Sequence, residues 1–297
     1  MIPKRIFYVW GAGERKPRDV QVCIQTWRQI MPDYEIIEIN ENSNQYFDFN
    51  ENLRTNKFFR TVYENKMWAY VADYIRIKTL YDHGGIYFDT DVSAVRPLDK
   101  FLKNRAFVGM QNTEYVEPAI LGSVSKNPLL KEILNFYDND IWKMPIFTMP
   151  QIFQYFLQKL YKIAGFPDKT EQKIIKTPDI TIYPERYFIP FRYQTSFTPD
   201  CVEPDTHTIH WFGGSWTRPS VINWLMNKHL VPDLKFNPDY DIVKTTRLSI
   251  GRITIIKITS YANNTVSIRF LRIIPLIKLT NKYLKLFDII PVLKIKK

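Results

Sequence analysis

The stretch from Trp68 to Asp91 (WAYVADYIRIKTLYDHGGIYFDTD) most narrows what this chain can fold into. Helix formers run without Gly or Pro to Leu80, and Ala69, Asp73, Arg76 and Leu80 fall at i, i+4, i+7 and i+11. That spacing stacks an acid and a guanidinium on one side of a helix. Gly84-Gly85 then frees the backbone for a C-cap and a sharp reversal. Ile86-Tyr87-Phe88 predicts a strand, with Tyr87, Asp89 and Asp91 alternating onto one of its faces. On a solvated face the two carboxylates would stand about 7 Å apart by backbone spacing, within reach of one divalent cation. A lone Asp-X-Asp more often caps a turn or a solvated edge. Here it follows a hydrophobic strand, the place where open α/β sheets put their ligand groups.

A chain of 297 residues holds one large α/β domain or two small ones. Apolar content of 45% suits a packed core, and 15% aromatic content suits sugar or base stacking. Two cysteines (Cys23, Cys201) suggest neither a disulfide framework nor a thiolate cluster. The N-terminal apolar run is too short for a signal peptide, and no window nears 18 uninterrupted apolar residues. A reduced, cytoplasmic setting is the default expectation. The charge is unevenly placed. Residues 244–297 hold twelve Lys/Arg and one acid, Asp288, against totals of 41 basic and 30 acidic groups. Residues 1–243 therefore carry 29 of each and are neutral.

Along the chain, Ile6-Phe7-Tyr8-Val9-Trp10 predicts the first strand, ended by Gly11-Ala12-Gly13, which forms no complete phosphate fingerprint. A helix is expected over Val20 to Met31 and a second strand over Tyr34 to Ile39. Residues 40–57 suggest a loop or broken helix, and Lys66 is expected to open the organising helix. Val92 to Leu98 predicts a strand ending at Pro97. Residues 106–110 and 119–122 suggest further strands of the same sheet, and Asn127-Pro128 starts a helix to about Tyr137. Residues 138–176 suggest a helical, aromatic insert. Gln111 and Asn112 suit satisfied loop amides better than sugar ligands. The tail alternates apolar and basic residues, as in Ile253 to Ile258 and Ile268 to Ile274, which suits a basic amphipathic segment on an anionic leaflet. A solvated face, or nucleic acid as the partner of such charge, are the alternatives.

The pattern Ala-x-x-x-Asp-x-x-Arg-x-x-x-Leu, then Gly-Gly-x-Tyr-x-Asp-x-Asp, resembles the sugar-nucleotide-binding core of glycosyltransferase family 32. That family includes DXD transferases of bacterial polysaccharide clusters, and the core also occurs in clostridial glucosylating toxins. The one departure is Ala72, where many relatives carry Ser. The resemblance extends from Ile2 to Trp216. It implies a fold of GT-A type, an α/β chain with a single Rossmann-like mixed sheet flanked by helices. The expected organisation is a catalytic domain over 1–243, with the insert at about 138–176, and a basic C-terminal extension over 244–297.

The resemblance also assigns roles. Val9-Trp10-Gly11 matches the first-strand element whose indole stacks on uracil; the residues alone leave Trp10 equally a core residue. His210-x-x-x-Gly214-Ser215-Trp216 matches the family's C-terminal element. His210 becomes the third metal ligand beside Asp89 and Asp91, and Ser215 and Trp216 lie beside the diphosphate. The bland reading of His210 is a strand histidine bonded to a loop amide. His207 stands where relatives carry an aromatic and is left out, and Ile39, where relatives carry Trp, leaves Asn40 without an assigned contact. The cofactor expected is Mn²⁺ or Mg²⁺. Asp73 would accept donor hydroxyls, Arg76 would pair with phosphate or sugar, and Tyr87 shares their site. Their alternative is an i,i+3 ion pair internal to the helix. The activity implied is metal-dependent, retaining transfer of a sugar from a nucleotide diphosphate, UDP first, to a glycan or lipid-linked acceptor. The basic tail would hold the enzyme peripherally at the inner face of the membrane. Two rival classes remain. Phe88-Asp89-Thr90-Asp91-Val92 also resembles haloacid-dehalogenase phosphatases, with Asp89 as nucleophile, and a non-catalytic membrane or nucleic-acid binder would be built on the tail.

Overall fold

The computed structural model describes residues 1–42, 45–193 and 195–213, and six strands within residues 242–294. The chain divides into two compact units, Met1–Trp216 and Thr217–Lys297.

In the first unit, strand β1 (Arg5–Val9) leads to helix α1 (Arg18–Ile30) and strand β2 (Glu35–Ile39). Helices α2 (Phe49–Thr55), α3 (Lys57–Glu64) and α4 (Trp68–His83) follow, then strands β3 (Gly85–Phe88) and β4 (Val92–Ala94). Strands β5 (Ala106–Met110) and β6 (Val116–Ser123) precede helices α5 (Pro128–Asn139) and α6 (Met149–Tyr161). Strands β7 (Ile175–Lys176) and β8 (Thr181–Tyr183), the single turn α7 (Glu185–Phe188) and strand β9 (Thr208–His210) complete it. Seven strands form one mixed sheet in the order β2-β1-β3-β6-β5-β8-β7. β1 runs parallel to β2 and β3, while β6 is antiparallel to β3 and β5. The expected α/β arrangement, one mixed sheet flanked by helices, is what the chain builds.

The apolar strands are buried on both faces, as a sheet covered by helices on both sides requires. Trp27 on α1 is wholly buried and gives its indole N–H to the Val92 carbonyl at 2.6 Å, so the ring enters the core without an orphaned donor. Helix α4 is enclosed by α3, α5 and the sheet, which is why Tyr70, Val71, Tyr74, Ile75, Ile77 and Leu80 are buried around most of its circumference. It begins at Trp68 rather than Lys66, whose φ of 55° places it in the preceding turn. Gly84 closes the helix at φ 65°. A Cβ on Gly85, at φ 130°, would sit 2.8 Å from Arg5 Cγ and 2.9 Å from Phe7 Cε2. Both positions therefore need glycine.

Two expectations change. The strand after Asp91 stops at Ala94 and leaves the main sheet to pair with β9, because the Val95 and Arg96 amides both bond to the His207 carbonyl and Pro97 has no N–H to offer. Residues 138–176 hold the end of α5 and one further α-helix, α6, which ends at the left-handed Lys162; Ile175–Lys176 then join the sheet edge beside β8.

In the second unit the tail is extended. Strands β10 (Ile242–Ile250), β11 (Ile253–Tyr261), β12 (Val266–Phe270), β13 (Ile274–Leu279), β14 (Tyr283–Leu286) and β15 (Ile290–Lys294) form an antiparallel meander in chain order. The apolar–basic alternation has the period of a strand.

Candidate metal and donor-binding site

Asp89 leaves the end of β3, and its amide bonds to the Ala119 carbonyl at 2.9 Å. The chain then turns, with the Val92 amide on the Asp89 carbonyl at 3.1 Å. Asp91 thus stands across a turn from Asp89, not two residues along one strand as the alternation implies. Its side chain is fixed from β9 and the segment beyond. The Gly213 amide donates to Oδ2 at 2.7 Å, and His210 Nε2 lies 3.3 Å from Oδ1. The ladder pairing Val92 with His210 sets that approach, and the Trp211 amide on the Asp91 carbonyl extends it by one bond. One ligand atom each from Asp89, Asp91 and His210 gather within 4.8 Å of one another.

Behind them stands Arg76, only 4% exposed. Its Nη2 bonds to Asp89 Oδ1 at 2.6 Å and lies 3.4 Å from Asp73 Oδ1. Nη1 donates to the Pro118 carbonyl at 2.8 Å, and the guanidinium lies over the Tyr87 ring, 4.5 Å from its centroid. Asp73 and Arg76 do share one side of α4, but the two Nη groups of Arg76 are bonded to Asp89 and Pro118. Tyr87, 2% exposed, is the platform beneath it.

Burial shapes the charges. It pushes the Asp89 carboxyl up to about 6 against the pull of Arg76, with Asp91 adding to the rise. Asp73 is likewise raised to about 6 by burial, opposed by Arg76. Asp91 goes the other way: burial is outweighed by its bonds with His210 and the Gly213 amide, which hold it below the usual carboxylate range. Burial opposes charge on His210, yet the bond to Asp91 and the Glu117, Asp91 and Asp89 carboxylates raise it to about 9.

Asp89, Asp91 and His210 fit a divalent cation. Two hard carboxylates and one imidazole suit Mg²⁺ or Mn²⁺, and three ligands about 2.1 Å from one ion lie no more than about 4.2 Å apart, about 0.6 Å inside the 4.8 Å found. The concentration of acids around one histidine is itself the arrangement that a cation would relieve.

Val9 and Trp10, expected from the resemblance to face a nucleotide, lie at the same end of the sheet. Phe7 of β1 is in register with Tyr87 of β3, so Val9 and Asp89, each two residues on, end parallel neighbouring strands. This is the carboxyl edge at which open α/β sheets bind ligands. Trp10 follows, half-buried, with its indole N–H on the Glu14 carbonyl at 3.0 Å. Ser215 and Trp216 lie outside the described residues. His207 bonds through Nδ1 to the Pro97 carbonyl at 2.6 Å and packs on Phe101, a structural role. Asn112 accepts the Glu114 and Tyr115 amides, as a loop amide does.

Sequence reasoning missed Glu117, a carboxylate 8% exposed whose Oε2 lies 3.8 Å from His210 Nδ1. The available signal was Glu-Pro inside an apolar strand run, a pattern that marks a bulge.

Residues 17–108 match the family described as "Glycosyltransferase sugar-binding region containing DXD motif". Inositol phosphoceramide mannosyltransferase 3 of Schizosaccharomyces pombe is 29% identical over 138 residues, 45% of this chain and 36% of that protein. Human alpha-1,4-N-acetylglucosaminyltransferase is 26% identical over 132 residues, 43% of this chain and 36% of that protein. The chain thus aligns with about a third of each curated relative's length. Among solved structures, PaToxG glycosyltransferase is similar at a TM-score of 0.42 and 18% identity, over 53% of this chain and 68% of that one. A glycosyltransferase involved in glycosylating the major capsid of PBCV-1 is similar at 0.38 and 12% identity, over 74% of this chain and 98% of that one. The matched residues, which hold the Asp89-Thr90-Asp91 motif, are thus similar to the DXD-containing sugar-binding region of glycosyltransferases.

Proposed function

We propose that this glycosyltransferase moves a sugar from a nucleotide-diphosphate donor, UDP first among the candidates, to a glycan or lipid-linked acceptor in polysaccharide assembly. It does so with Mn²⁺ or Mg²⁺ and with retention of anomeric configuration. The observation that carries the metal-dependent reading is the convergence of Asp89, Asp91 and His210 at the carboxyl edge of the sheet. A divalent cation bound there supplies charge neutralisation for the departing diphosphate. The chain's own residues do the rest. Arg76 holds Asp89 at 2.6 Å and so keeps one ligand aimed. The Gly213 amide does the same for Asp91. Trp10, Val9, Asp73, Ser215 and Trp216 are the proposed donor contacts, with Trp10 stacking on the base. Retention follows the family resemblance alone.

A lipid-linked acceptor agrees with the name of the fission-yeast relative, a mannosyltransferase of inositol phosphoceramide. Among the described residues no helix is long and apolar enough to cross a membrane. Peripheral attachment at the inner face of the membrane is proposed to come from the second unit. Its support is register. Arg247, Lys257 and Arg269 oppose one another across β10, β11 and β12, and Lys278 opposes Lys285 across β13 and β14. The neighbouring row is Ile258, Ile268, Ile277 and Leu286. These pairings set basic positions opposite one another on neighbouring strands, which supports an anionic lipid surface as the partner.

The deciding experiment is donor hydrolysis and transfer with a panel of UDP- and GDP-sugars, in Mn²⁺, in Mg²⁺ and in chelator. Turnover is expected only with metal, and Asp91→Ala is expected to lose it by a hundredfold or more, in the range of about 3 kcal/mol for one electrostatic stabiliser. Full turnover in chelator, or in Asp91→Ala, would sink the metal-dependent reading.

A further inference from the structure

His210 Nδ1 is buried and has no hydrogen-bond partner among the described residues. On the other side of the ring, Nε2 faces Asp91 at 3.3 Å. The group opposite Nδ1 is Glu117 Oε2 at 3.8 Å. Glu117 is itself short of partners: Oε1 accepts the Ala119 amide at 3.3 Å, at the long end of a hydrogen bond. A buried imidazole nitrogen without a hydrogen-bond partner and a buried carboxylate with one long bond thus face one another. Both are unfavourable alone.

A backbone irregularity puts them there. β6 pairs with β5 regularly down to Leu121 opposite Val108, and then Glu117 stands opposite Gly109, so Pro118, Ala119 and Ile120 bulge out of the ladder. Such bulges re-aim side chains beside active sites. The bulged residues are put to use. The Pro118 carbonyl accepts Arg76 Nη1 and the Ala119 carbonyl accepts the Asp89 amide. One distortion of β6 therefore orders the Asp89 side of the site and delivers Glu117 to the His210 side. Phe212, with its ring centroid 4.3 Å from that of His210, closes the flank of the imidazole.

We propose that Glu117 is a positioning residue for the metal centre: it takes the Nδ1–H of His210, fixing the tautomer and ring orientation that leave the Nε2 lone pair on the cation side with Asp89 and Asp91. The inference rests on the metal-site reading above. Outer carboxylates of this kind set the orientation and basicity of metal-bound imidazoles, and their loss weakens metal binding about 10–100-fold. Glu117 touches neither the cation nor the substrate.

The test uses the full chain and Mn²⁺ alone, with free Mn²⁺ quantified by electron paramagnetic resonance and no donor sugar present. Glu117→Leu should weaken Mn²⁺ binding about 10–100-fold. Glu117→Gln, whose amide oxygen still accepts Nδ1–H, should stay within about fivefold of the parent. Glu117→Asp, which draws the carboxylate back by one methylene, should lose nearly as much as Glu117→Leu; this pair decides the matter if the leucine variant fails to fold by circular dichroism. Adding Glu117→Leu to His210→Ala should cost nothing further, a result that a merely structural role would not produce. Parent affinity in both Glu117→Leu and Glu117→Asp, or an undiminished loss on top of His210→Ala, overturns the role of Glu117 while leaving the metal site standing. Equal, weak binding by the parent and Asp91→Ala overturns the metal site and this inference with it.

Discussion

The body of the chain and its tail use charge in opposite ways. In residues 1–243 basic and acidic groups number 29 each, and where the site forms they are spent on one another. Arg76, buried, meets Asp89 and Asp73, and His210 stands between Asp91 and Glu117. In residues 244–297 twelve basic groups face one acid, and strand pairing sets like charges opposite like, as with Lys257 between Arg247 and Arg269. Like charges directly opposed on a sheet disfavour folding, which is why an anionic partner is proposed for this row. The buried arrangement focuses charge on one point, while the tail repeats basic positions from strand to strand.

The contrast can be broken first at Arg76. If the site's carboxylates depend on that one guanidinium, Arg76→Met leaves them uncompensated and should cost about 3–5 kcal/mol of stability, with Arg76→Lys costing less. Urea unfolding of both variants measures this, and a loss under about 1 kcal/mol for Arg76→Met would show that the cluster does not need its cation.

For the tail, replacing Arg247, Lys257 and Arg269 together with Gln should weaken sedimentation with phosphatidylserine vesicles about a hundredfold, at about 1 kcal/mol per basic group. Donor hydrolysis should be unchanged, and vesicles of neutral lipid should bind neither form. Unaltered binding to the anionic vesicles would remove the row's proposed purpose.

The smallest effect concerns Asp73. Its carboxyl is raised to about 6 in the folded chain, mainly by burial, so the folded state holds that proton more tightly than the unfolded one. The residue therefore favours folding at low pH, and this contribution is lost as pH rises through about 6. Asp73→Asn removes the dependence. The variant should gain stability relative to the parent between about pH 4 and 7, measured as the difference in urea midpoints. Parallel curves across that range would mean that Asp73 titrates as an ordinary surface acid.

Much of this was legible in the residues. The i, i+4, i+7, i+11 spacing placed Asp73 and Arg76 together on α4, Gly84-Gly85 marked the reversal, and the apolar run before Asp89 marked β3. Local rules suffice there, because helix period and glycine backbone freedom act within a few residues. The family match, over residues 17–108, includes that same stretch. The tail's alternation was visible too, but whether it lies flat as an amphipathic segment or pairs into a meander is not a local property.

What the sequence by itself determined is thus the list of chemical groups and the local frames that carry them: a DXD pair behind a strand, an acid and an arginine on one helix face, and a basic tail. Only the tertiary structure decided their partners. Asp91 met His210 through a ladder between residues 118 positions apart in the chain, by the pairing of Val92 with His210. Arg76 turned to Asp89 and Pro118, and a bulge brought Glu117 to the histidine. Such contacts arise from long-range strand pairing and from the need of every buried polar group to find a partner, and neither operates within a short window of sequence.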